Sequence, residues 1–231
     1  MQPDLQITPA SIGSTTALAQ NRVLRNTYAL LGVTMIPTVI GAIIGTNLNF
    51  SFMRGSPIVS VLVLLAVVYG LMFAVEKNKN SSLGVYWLLA FTLFMGVILG
   101  PLLQAALTLN NGAQLIAVAA GGTGIVFMAM AAFSATTKRD LSGMGRFLFI
   151  GAIVLMVAML ANIFFQMPAL QLAICAAFIL FSSMMIAYTI NSVVHGGETN
   201  YISATLSIYV SVYNIFSSLL QILMAVTGNK D

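Results

Sequence analysis

Residues 195–222 read HGGETNYISATLSIYVSVYNIFSSLLQI. From Tyr201 on, the segment is long and apolar enough to cross a membrane. Yet Asn200, Ser203, Ser207, Ser211, Asn214, Ser218 and Gln221 recur along it at spacings of 3, 4, 4, 3, 4 and 3. Those offsets put all seven on one helical face, with Ile202, Leu206, Tyr209, Ile215, Leu219 and Ile222 on the other side. Unpaired polar groups are costly in hydrocarbon, so the stripe should face the rest of a helical bundle rather than lipid. It reads either as hydrogen-bonding glue between helices, worth about 0.6 kcal/mol per contact, or as the wall of a water-filled cavity. Glue is the simpler reading, because small hydroxyl side chains pack closely.

The rest of the chain supports a membrane setting. Of 231 residues, 59% are hydrophobic and 6% charged, with a mean hydropathy of +1.00. A water-soluble domain carries roughly 25% charged residues, so this chain cannot cover a solvent-facing surface. The net charge of +4 therefore reports on loops beside a bilayer and not on a nucleic-acid partner. The lone cysteine, Cys175, sits in an apolar run without metal-ligand spacing and reads as a small core residue. No cofactor or metal is expected.

Seven stretches are long enough to span: 28–46, 58–75, 83–107, 114–136, 147–165, 168–194 and 201–226. Ser56 and Pro57 form an N-cap and first-position pair for the second. Glu198 precedes the seventh, where an acid complements the helix dipole. Pro37 and Pro101 should bend the first and third spans. Gly41-Ala-Ile-Ile-Gly45 and Gly96-Val-Ile-Leu-Gly100 are small-xxx-small patterns that permit close helix approach. The two-residue link Gln166–Met167 makes spans five and six antiparallel neighbours. The basic residues Arg22, Arg25, Lys77, Lys79, Lys138, Arg139 and Arg146 fall on one side, against Arg54 and Lys230 on the other. The positive-inside rule then places the N-terminus in the cytoplasm and the C-terminus outside.

No ionisable residue falls at mid-membrane, where charge marks ion-coupled pathways by default. There is no lysine for a retinal Schiff base. With one histidine, His195, in a loop, no intramembrane protease set can form. The chain reads as a non-enzyme. Residues 1–26, polar and Ser/Thr/Gln-rich, read as a flexible cytoplasmic tail ending in a basic anchor, Arg22 and Arg25, ahead of a transmembrane domain over 27–231.

The final segment, HGGETNYISATLSIYVSVYNIFSSLLQIL, is similar to the C-terminal signature of the Bax inhibitor-1 family, and more closely to its bacterial YccA branch. NRVLRNTYALL, VYGLMF, GVILGPLL, GGTGIVF and ANIFFQMPALQLAI follow in the family's order from about residue 21. The resemblance implies an all-α, seven-transmembrane-helix bundle whose last helix is central, wrapped by the other six. In channel-like members it implies a carboxylate near the end of helix six paired with one midway along helix seven. Those positions fall on Thr189 and Ser211, which are not acidic, so a cation (calcium) leak here would lack the acidic pH latch. In the YccA branch it implies an inner-membrane protein that binds and inhibits the membrane-anchored AAA+ protease FtsH. The flexible tail would then serve as a handle, and hydrolysis and zinc would belong to the partner.

Overall fold

The computed structural model describes residues 9–50, 57–137 and 139–227. Among the described residues eight helices follow one another: α1 (Pro9–Asn47), α2 (Pro57–Lys77), α3 (Ser82–Ile98), α4 (Gly100–Leu107), α5 (Gly112–Thr136), α6 (Met144–Phe165), α7 (Pro168–Val194) and α8 (Tyr201–Thr227). With α3 and α4 counted as one crossing, seven helical segments are long and apolar enough to span a membrane. The chain is an all-α polytopic membrane protein. Its outward faces carry large apolar side chains such as Val63, Phe73, Ile150 and Phe164, as a lipid solvent demands.

Two features differ from the sequence reading. Helix α1 begins at Pro9, so residues 9–26 continue the first helix instead of forming a separate flexible tail. Pro9 is a favourable first helical residue, and the Ala-, Leu-, Gln- and Arg-rich stretch over 17–25 has good helix propensity. Residues 1–8 lie outside the described residues, as do Ser56, Arg54, Lys138 and Lys230. The prolines also act differently. Pro37 is accommodated within α1, whereas at Pro101 the third span divides. Leu99 closes α3 with a bond from its N–H to Gly96 O (3.0 Å), and Pro101 sits in the first turn of α4.

Helix α8 forms the axis. It packs against α1, α2, α3, α4, α5 and α7, while α6 rests on α7. The last helix is thus central, but five other spans wrap it and the fifth span lies outside that ring. Around it Leu88, Phe91, Ile186, Ile190, Ile208 and Ile215 are fully buried. The α6–α7 link turns through Gln166, whose left-handed backbone (φ 49°) closes α6 with a bond from its N–H to Asn162 O.

The two glycine pairs meet face to face. A methyl group added to Gly41 would strike Leu93 O, one on Gly96 would strike Thr38 O, and one on Gly45 would lie 2.5 Å from Val97 O. Helix α1 is therefore zipped to α3 and α4 at backbone contact. Gln104 on α4 finishes the zip. Its Nε2 donates toward the carbonyls of Thr46 (3.0 Å) and Leu48 (2.9 Å) at the end of α1, and lies 3.3 Å from that of Gly45, which also accepts from Leu48 N. Gln104→Leu should lower stability by about 1–2 kcal/mol, a drop in melting temperature of roughly 3–6 °C in detergent. An unshifted melt would show that the cap contributes nothing.

Candidate functional site

The polar stripe is divided between two neighbours. Asn200 caps α8, its Oδ1 accepting from Ile202 N (2.9 Å), while its Nδ2 donates to Lys79 O (2.9 Å) in the α2–α3 turn. Glu198 supports the cap by accepting from Asn200 N at 2.7 Å. Ser203 donates to Glu76 Oε2 (3.1 Å), and Glu76 also pairs with Lys79 (3.0 Å), which raises the Lys79 pKa. These two stripe residues fasten α8 to the end of the bundle that carries the basic loops.

The remaining stripe residues run along α7. Ser207 Oγ lies 2.9 Å from Thr189 Oγ1. Ser211, buried, donates back to Ser207 O at 2.9 Å. Ser218 shares a hydrogen bond with Cys175. Gln221 Oε1 accepts from Gln171 Nε2 (2.8 Å), and Gln171 Oε1 accepts from Asn162 Nδ2 (2.8 Å) on α6. Asn214 is half-buried, and its side chain has no hydrogen bond among the described residues. Ser182, seven residues from both Cys175 and Thr189, is buried with an unpartnered hydroxyl.

Thr189 and Ser207 thus meet hydroxyl to hydroxyl across the seam, while Ser211 bonds the Ser207 backbone carbonyl within α8. Direct bonds of 2.8–2.9 Å between side chains of adjacent helices are the geometry of interhelical glue. Reading the last helix alone missed the partners. Gln171, Cys175, Ser182 and Thr189 are spaced 4, 7 and 7 apart, a one-face helical pattern that was available in the sequence. Gln171→Leu removes the hub between α6, α7 and α8. It should cost about 1–2 kcal/mol of stability and leave cation flux through liposomes unchanged. Altered flux would favour a water-lined stripe.

At the basic end, Asn191 is fully buried. It orders the α5–α6 loop by accepting from Leu141 N (2.8 Å) and donating to Arg139 O (3.0 Å). In that loop the Ser142 backbone and hydroxyl hold Asp140 below the usual carboxylate range. Arg22 and Arg25 lie exposed on α1 without an ion pair among the described residues.

A second feature lies on the other face of α8. Tyr209, 1% exposed, sets its hydroxyl 2.8 Å from Thr38 Oγ1 and 3.3 Å from Thr92 O, and its ring stands edge-on to Phe91. Beside it a groove of about 1160 Å³ opens between α1 and α5, with α8 as its floor.

Residues 20–228 match the family described as "Inhibitor of apoptosis-promoting Bax1". The chain belongs to the Bax inhibitor-1 family. It is 46% identical over 218 residues to the "Modulator of FtsH protease YccA" of Escherichia coli K12, covering 94% of this chain and 96% of that one. An uncharacterized protein of Neisseria meningitidis serogroup A is 46% identical over 213 residues, 91% of this chain and 94% of its own length. An "Uncharacterized membrane protein" of Vibrio cholerae is 41% identical over 214 residues, 93% of each. The family match runs from residue 20 to 228, so the glycine zip and the α7–α8 seam fall inside it.

Proposed function

We propose that this Bax inhibitor-1 family member is a bacterial inner-membrane protein that binds FtsH and inhibits it, slowing degradation of other membrane proteins. The observation that supports this reading is the end-to-end identity with a relative named as a modulator of that protease. On this reading the N-terminus and the end of the bundle around Asn191 lie in the cytoplasm and the C-terminus in the periplasm, an orientation that the basic loops support. The mechanism is competition. The N-terminal end of the chain, with Arg22 and Arg25, engages the protease, and the bundle zipped at Gly41, Gly45, Gly96 and Gly100 resists extraction. The chain itself cuts nothing.

Reconstitution tests this. FtsH and a membrane-protein substrate are placed in liposomes with and without a molar excess of the full chain. Substrate half-life should lengthen several-fold when the chain is present. An unchanged half-life would sink the reading. The alternative, a cation leak without the acidic latch, is weakened by the direct hydroxyl contacts across the Thr189–Ser207 seam.

A further inference from the structure

The groove beside Tyr209 suits a specific occupant. Along α1 it runs from Tyr28 to Thr46, about 27 Å at 1.5 Å per residue and close to the hydrocarbon thickness of roughly 30 Å. It opens sideways into the membrane, for Val39 (56%), Ile43 (60%) and Met128 (66%) at its mouth are exposed. A helix about 10 Å across fills roughly 2,100 Å³ over that length. The groove, about 1160 Å³ and open along one side, has the length to take one face of such a helix.

Chemistry separates a helix from a lipid tail. Tyr213 lies on the floor one turn beyond Tyr209, and its hydroxyl has no hydrogen-bond partner among the described residues. An acyl chain offers nothing to bond at that depth, whereas a helix can present a Ser, Thr, Asn or Gln side chain. The walls also allow close backbone approach. Gly32 on α1 and Gly124 on α5 both line the groove, and a methyl group added at either would meet no atom within 4 Å.

We propose that the groove between α1 and α5 docks one transmembrane helix of the membrane-anchored protease, with a small or hydrogen-bonding residue of that helix set against Tyr213. This rests on the functional reading above and deepens it. It gives the partner a surface within the bilayer, separate from the basic end of the bundle.

Gly32→Leu with Gly124→Leu puts bulk into the groove at positions where the added Cβ meets no atom within 4 Å. Gly70→Leu, on α2 with equally open surroundings, is the matched control. With the full chain in native membranes, wild type and Gly70→Leu should capture FtsH equally. The filled variant should lose at least tenfold in capture at an unchanged melting temperature, and Tyr213→Phe about threefold. As a measurement independent of those substitutions, p-benzoylphenylalanine in place of Met128 should photo-crosslink to a membrane segment of FtsH, while the same probe in place of Val63 on α2 should not. Undiminished capture by the filled variant overturns the proposal. So does a Met128 crosslink to a second copy of the chain, or loss of tightly bound phospholipid with capture intact. If wild type captures no FtsH, the functional reading itself fails, a result distinct from failure of the groove alone.

Discussion

Gly96→Ala should be among the most damaging single-methyl additions to this protein, costing at least about 3 kcal/mol, the upper end of what overpacking does. The added carbon lands on Thr38 O and 2.9 Å from Ala42 N, all of it backbone of α1. A flexible side chain could swing aside, but a helix backbone cannot move without its whole length. Gly41→Ala meets Leu93 O and Val97 N (3.0 Å) and should behave alike. Separating α1 from α3 also breaks the contact of Tyr209 with Thr38 and the Gln104 cap on α1. Gly70→Ala meets nothing within 4 Å and should be neutral or stabilising by about 0.5–1 kcal/mol, because alanine is the better helix former. Thermal unfolding in detergent, read by loss of monodisperse protein, compares the three. Equal melting temperatures for Gly96→Ala and Gly70→Ala would show that α1 and α3 are not packed at backbone contact. If the protein works as proposed, by resisting extraction by a protease, the Gly96 variant should also become a faster substrate.

The spans were legible because hydrocarbon imposes length and composition on them. The second to seventh segments read from sequence lie within two or three residues of the observed helices. The glycine zip was half legible. Each small-xxx-small pattern could be read, but nothing in one strip of sequence says which other strip it meets. The start of α1 at Pro9 was not legible, because the Ser-, Gly- and Thr-rich residues 10–16 have little helix propensity of their own. The stripe on α8 was legible as a face, and its division between the α2–α3 turn and α7 was not. A helix near the centre of a bundle touches several neighbours along its length, so one face can cross from one partner to the next. Gln104 could not have been found by pattern. Its role depends on where α1 ends in space, 56 residues away in sequence for the Leu48 contact.

Placing a carboxylate in the α7–α8 seam, by contrast, should create a pH-dependent protein. In Ser211→Asp the new group sits at a position that is 4% exposed, beside the Ser207 carbonyl that the native hydroxyl bonds at 2.9 Å. A protonated carboxyl can donate to that oxygen, whereas an ionised one can only repel it and is also desolvated. Both effects favour the neutral form and raise the folded-state pKa above the unfolded value of about 3.9. The folded state then holds its proton over a range in which the unfolded state releases it. Stability of the variant relative to wild type is therefore highest at low pH and declines as pH rises from the unfolded toward the folded pKa. Melting scans at pH 5 and pH 8 should show a variant close to wild type at the lower pH and much weaker at the higher, while wild type, with Thr189, Ser207 and Ser211 all neutral, changes little. A variant equally stable at both values would mean that water or a cation reaches Ser211, and the seam would then be a wet path instead of glue. The native seam thus carries neutral hydroxyls at Thr189, Ser207 and Ser211, and no side chain there changes charge with pH.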